Sequence, residues 1–99
     1  MVDYYITKKR MDAEKKHIEK VKYRYAYSNS VGTYEFEKKR SEIIQSIEDD
    51  KKKYRTAIEK NGEWTIGEDV HVVPIKGKKY IRTDKNETEE DNLGNLPDF

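Results

Sequence analysis

The 99-residue chain has no cysteine. That excludes disulfides, thiolate nucleophiles and Cys-ligated zinc or iron–sulfur centres. Glycine occurs five times and proline twice, too scattered for a glycine-rich phosphate loop or a flexible linker. Histidine occurs twice, as His17 and His71, without the His-x-His or His-x-x-x-His spacing that would begin a metal site. No apolar run approaches the length of a membrane span, and the opening Met1-Val2-Asp3-Tyr4-Tyr5-Ile6-Thr7-Lys8-Lys9-Arg10 has no apolar signal core. These gaps lead us to expect a soluble cytoplasmic protein.

What the chain does have is charge and tyrosine. Charged residues make up 41% of the sequence and hydrophobic ones 33%, against roughly 25% charged in an ordinary globular domain. A composition so charged points toward disorder, but eight tyrosines, two phenylalanines and one tryptophan supply the large apolar area that a core needs. The length suits one domain. Residues 1–83 carry 20 basic and 14 acidic side chains, whereas residues 84–99 carry one basic and six acidic. A basic α+β body, 1–83, is therefore expected to be followed by an acidic C-terminal tail, 84–99.

Local patterns predict the elements. Tyr4-Tyr5-Ile6-Thr7 is a run of strand formers. In His17–Tyr27, Val21, Tyr23, Tyr25 and Tyr27 share one parity, and Lys20, Lys22 and Arg24 the other. This period of two predicts a half-buried strand hairpinned to the first. Ser28-Asn29-Ser30-Val31-Gly32-Thr33 reads as a loop and Tyr34-Glu35-Phe36-Glu37 as a short extended segment. Ser41 is placed as an N-cap, opening a helix of about Ser41–Asp50 whose Ile43, Ile44 and Ile47 form one stripe. Tyr54–Glu59 and Trp64-Thr65-Ile66 flank Asn61-Gly62, a strong two-residue hairpin signal. Val70–Ile75 and Lys79–Thr83 flank a second tight turn at Lys76-Gly77. The expected fold is α+β, one mostly antiparallel sheet of five to six short strands with the single short helix packed on one face.

Catalytic chemistry finds no footing in these residues. There is no Gly-x-Ser-x-Gly elbow, and no pair of carboxylates stands above the others. The run Asp84–Asp91 looks superficially like a calcium loop, but its sixth position is Glu89 and its twelfth Asn95, where glycine and a bidentate glutamate are needed. Asn86-Glu87-Thr88 matches a glycosylation sequon, an accidental match in a cytoplasmic chain. We therefore expect no enzyme activity, cofactor or metal. Two surfaces are candidates for binding. Lys20, Lys22, Arg24, Lys79 and Arg82, beside tyrosines, suit single-stranded nucleic acid. Leu93, Leu96 and Phe99 recur every third residue and suit docking of the tail onto the body.

The C-terminal third also carries a resemblance. Val70-His71-Val72-Val73, then Gly77-x-x-Tyr80-Ile81-Arg82-Thr83, an Asn-containing spacer and Asp91-Asn92-Leu93-x-x-Leu96-Pro97 resemble the family known as domain of unknown function 3892, small and mostly bacterial proteins. The likeness extends to Tyr5-Ile6-Thr7, the Ile-rich helix and Tyr54-x-Thr56, although the middle of this chain is richer in lysine and its loop at Ser28–Thr33 longer. The resemblance implies one compact domain and gives no catalytic residues to carry over. The functional expectation is a small cytoplasmic protein-interaction or regulatory module with an unknown protein partner. Its accessible surface would be a sheet edge or face near the tail, and nucleic-acid binding is the alternative.

Overall fold

A computed structural model describes residues 2–14, 17–28, 30–84 and 90–99. The sequon and most of the calcium-like run lie outside the described residues. The chain runs β1 (Tyr4–Met11), β2 (Ile18–Tyr27), β3 (Ser30–Val31), β4 (Phe36–Lys39), α1 (Arg40–Glu48), β5 (Tyr54–Lys60), β6 (Glu63–Asp69), β7 (His71–Ile75) and β8 (Lys78–Arg82). Six strands form the main sheet in the order β3-β2-β1-β5-β6, with β4 also paired to β2. The pairing is antiparallel except between β1 and β5, which run parallel over Tyr4–Ile6 and Tyr54–Thr56. Over the described residues the fold is thus sheet-rich, α+β and mostly antiparallel, with one short helix.

β1 is the centre of this sheet, and its Tyr5, Ile6 and Thr7 are all buried, so both of its faces are covered. The core groups Ile6, Ile18, Val21, Ile43, Tyr54, Val70, Ile81, Leu93 and Leu96. Each such side chain is worth on the order of 1.5–3 kcal/mol when buried. The Tyr54 hydroxyl reaches Ser46 on the helix (2.9 Å), so this buried phenol keeps a polar partner.

The two tight turns follow their sequences. Asn61 and Gly62 both take positive φ, as do Lys76 and Gly77, which gives each hairpin the twist that its flanking strands need. The last hairpin departs from expectation. β7 and β8 pair only with each other among the named strands, forming a separate two-stranded ribbon rather than joining the main sheet. The chain breaks direction at Val70, whose N–H goes back to the Tyr54 carbonyl (2.9 Å).

The helix also differs from the sequence reading. It spans Arg40–Glu48, not Ser41–Asp50, and Lys39 rather than Ser41 is the N-cap residue. β4 remains paired to β2 as far as Lys39, opposite Lys20, so the helix starts where the ladder ends. The Lys39 N–H is taken by the Glu42 carboxylate (2.9 Å), and this acidic residue in the first turn serves where the serine was expected to. At the other end Lys51 turns the chain at φ 57°, the conformation a glycine would usually supply.

Gly67 is required by packing. A Cβ there would lie 2.2 Å from Thr56 Oγ1, which accepts the Glu68 N–H at 3.2 Å. Gly67→Ala is expected to cost about 1–3 kcal/mol, as overpacking does. It should show as a lower urea midpoint at unchanged m-value, partly recovered when Thr56→Ala clears the space. An unchanged midpoint in the single variant would contradict this packing.

Candidate interaction surface

The tail must be placed first, because it decides which surfaces are left open. The Asp91 side chain is fully buried. Its carboxylate accepts the Ile18 N–H (2.7 Å), the Ile81 N–H (2.7 Å) and two guanidinium bonds from Arg40 (2.7 and 3.1 Å). Arg40 also donates to the Lys79 carbonyl. One carboxylate therefore joins the start of β2, β8 and the start of α1. Beyond it Asn92 pairs with Arg82 as a short parallel bridge, and Leu93 and Leu96 enter the core. Pro97 and Phe99 then bracket Lys9 of β1: the Lys9 N–H donates to the Pro97 carbonyl (2.9 Å) and the Phe99 N–H to the Lys9 carbonyl (3.0 Å). The edge of β1 that β5 covers at Tyr4–Ile6 is thus covered at Lys9 by the tail. Phe99 is only half-buried, with Arg10 and Lys22 over its ring at 4.7 and 5.1 Å.

The basic residues singled out for nucleic acid are scattered among internal partners. Arg24 pairs with Glu35 (3.3 Å), donates to the Gly32 and Thr33 carbonyls and lies over the Trp64 ring at 4.9 Å. That last contact spans β1 and β5, so the sheet curls toward this face. Lys22 lies over Phe99, Lys79 pairs with Glu48 (2.5 Å), and Arg82 is buried against Asp84 (2.7 Å) and the Glu90 carbonyl. Glu48 raises the Lys79 pKa above its ordinary value, mainly through their hydrogen bond, but this side chain is exposed. Lys20 sits opposite Lys39 near Arg40, beside a shallow cleft of about 390 Å³.

Strand alternation separates these cations from the rings. Lys20, Lys22 and Arg24 project from one face of β2, and Val21, Tyr23, Tyr25 and Tyr27 from the other. On the ring-bearing face exposure climbs along the strand, from 0% at Val21 to 9% at Tyr23, 43% at Tyr25 and 60% at Tyr27. Phe36, opposite Tyr23, is 43% exposed and packs on Tyr23 and Tyr25 at 5.7 and 5.5 Å. Tyr4 joins Tyr23, Tyr25 and Tyr54 at 5.4, 5.2 and 5.0 Å. The result is a continuous aromatic platform whose inner rings are core and whose outer rings meet solvent. Lys38 is the cation on this side, and it is committed. It sits over the Tyr4 and Tyr23 rings at 4.9 and 4.8 Å and donates to the Tyr54 hydroxyl (3.0 Å). Burial raises the pKa of both Tyr23 and Tyr54, so these phenols stay neutral.

The platform was half-legible in the sequence. The tyrosine alternation of β2 was visible, but its gradient of exposure depends on where the helix stops covering the sheet. Phe36 and Lys38 were missed as members, although the alternation of Tyr34–Glu37 hinted at the first. The platform borders a cleft of about 910 Å³ at the end of the sheet, where Tyr54, Lys51, Lys52, Lys53 and Arg55 meet Val70 and His71. The two histidines are apart in partners as well as in sequence: His17 stacks on Tyr80 and faces Asp12 at 3.5 Å, whereas His71 lines the cleft. Among the described residues no three potential ligands gather as a metal site. Among them also, no helix is long and apolar enough to cross a membrane.

Glu35 holds the opposite face together. Burial alone would raise its pKa, but hydrogen bonds from Thr7 (2.6 Å), Lys8 (3.2 Å) and Arg24 (3.3 Å) outweigh it and hold the carboxyl below its ordinary 4.5. A carboxylate with a lowered folded-state pKa contributes stability that is present above the unfolded value and lost as the pH falls below about 4.5 through the folded one. Glu35→Gln is therefore expected to unfold at lower urea at neutral pH and to lose less stability than the wild type between neutral pH and the acid limb. Parallel acid profiles for the two proteins would contradict this role.

The family model described as protein of unknown function (DUF3892) matches residues 5–97, nearly the whole chain. No curated protein and no solved structure matches it.

Proposed function

The chain belongs to the DUF3892 family of proteins of unknown function, and from its geometry we propose that it is a protein-interaction domain that grips its partner through the aromatic platform of β2 and β4. The observation that carries this reading is the packed group of Tyr25, Tyr27 and Phe36, with 43–60% of each left in solvent. Tyrosine and phenylalanine are enriched in protein interfaces, and contiguous exposed apolar surface is costly to keep without a use.

The platform lies away from the tail. Tyr4, opposite Tyr25, begins β1, and Lys9, where the tail docks, is five residues further on, roughly 17 Å along an extended strand. In this reading the tail is a structural staple that closes the fold and leaves the platform open. The domain is read as a small binding module of a bacterial cytoplasm that does no chemistry of its own. Nucleic acid fits less well. Stacking proteins put rings and phosphate-binding cations on one surface, whereas β2 directs its cations to the face opposite its rings.

The test is affinity capture with the intact domain and with a Tyr27→Ser/Phe36→Ser variant. Both side chains are largely in solvent, so the variant is expected to keep its amide spectrum over β1, β5 and β8. It should lose a protein that the wild type captures and binds again when purified. Capture unchanged by the double variant would overturn the platform. So would tight binding of single-stranded oligonucleotide at low salt with a steep loss on adding salt.

A further inference from the structure

The cleft beside the platform has a chemistry of its own. Among the residues lining it are Lys51, Lys52, Lys53 and Arg55, against one acid, Asp69. Asp69 faces Arg55 at 3.4 Å and Arg55 donates to the Gly67 carbonyl (2.6 Å), while the buried Arg55 Nε closes no hydrogen bond. The three lysines are exposed, and among the described residues none of their ammonium groups closes an ion pair. Their backbone is nevertheless pinned. The Lys52 N–H donates to the Ser46 carbonyl (3.0 Å), the Lys53 N–H to the Asp3 carboxylate (2.8 Å), and the Lys53 carbonyl accepts from Asp3 and Tyr4. Three exposed cations thus stand on a fixed base over a wall of Ile47, Tyr54 and Val70. Other acids near this end are Glu48, paired with Lys79, Asp49 and Asp50 at the close of the helix, and Asp3, whose carboxylate is turned to the Lys53 N–H.

Resting on the reading of the platform as a protein interface, we propose that this cleft receives an acidic segment of the partner protein, with an apolar side chain seated against Ile47 and Val70. Charge complementarity selects the segment. Lysines on long stems suit carboxylates dispersed along a chain, each met as a point charge. The domain already holds one segment of this kind. Its own tail docks with Asp98 on Lys9 (2.6 Å), Leu96 in the core and Phe99 under Arg10 and Lys22. Cleft and platform lie at the same end of the sheet, since Ser28 of the cleft follows Tyr27 of the platform directly.

The experiment titrates the isotopically labelled full chain with a short capped peptide of glutamates carrying one leucine and one phenylalanine. The controls are the same peptide with glutamine for glutamate, inorganic phosphate, and oligothymidylate. The acidic peptide is expected to shift the amide signals of Lys51, Lys52, Lys53 and His71. Lys52→Glu/Lys53→Glu, exposed and so expected to fold, should weaken it by about tenfold or more as repulsion replaces attraction. Lys52→Gln/Lys53→Gln should weaken it less. Absence of shifts, equal shifts with the glutamine peptide, or stronger ones with phosphate or oligothymidylate would overturn the proposal. Failure here is separable from failure of the platform. A partner lost by Tyr27→Ser/Phe36→Ser but held undiminished by the lysine-to-glutamate variant sinks the cleft alone, and a partner lost by both supports it.

Discussion

The Asp91 carboxylate is the contact on which the rest of the structure depends. A buried charge is tolerable only when its partners replace the water it loses. Asp91 finds them in two backbone N–H groups from separate elements and in the Arg40 guanidinium. Because those donors belong to β2, β8 and α1, the carboxylate fixes three elements that share no common ladder. The β7–β8 ribbon lies outside the main sheet, so this carboxylate, the Asn92 bridge, the contacts of Lys79 with Arg40 and Glu48, the His17–Tyr80 stack and the core around Ile81 bind it to the body. Removing one partner of a buried pair costs about 3–5 kcal/mol in general, and the part-exposed Arg40 puts this pair toward the lower end.

That closure determines which surfaces can act. The tail covers the second half of the β1 edge and part of the core, and its terminal phenylalanine occupies Arg10 and Lys22. Glu35 and Trp64 take Arg24. The basic face of β2 is therefore largely spent on holding the domain together. Its ring-bearing face is core at Val21 and open by Tyr27, because the helix and tail cover only its first half. The domain's unused binding capacity is aromatic, with lysines at its border.

Local chemistry made much of this fold legible. The Asn61-Gly62 and Lys76-Gly77 turns, the alternation of β2 and the isoleucine stripe of α1 are short-range signals, and short-range signals survive in a sequence. The parallel pairing of β1 with β5 left no such trace, since register between strands about fifty residues apart is set by packing rather than by any dipeptide. The helix start moved because β4 stayed in its ladder to Lys39, a tertiary constraint that Ser41 could not announce. The basic residues were read from their neighbours in sequence, and strand alternation alone would have put them opposite the rings. The spacing of Leu93, Leu96 and Phe99 drew attention to the tail, and the closing motif begins at Asp91, but no local pattern gave that carboxylate its structural role. Its donors come from positions as far away as Ile18.

The most direct test of this account is native-state hydrogen exchange at the two backbone amides that Asp91 binds, those of Ile18 and Ile81. If the tail is an integral part of the fold, both exchange only through opening as rare as that which exposes Ile6 in the central strand. If either exchanges as fast as the exposed turn at Asn61-Gly62, the tail opens independently of the body, and the closure described here is contradicted.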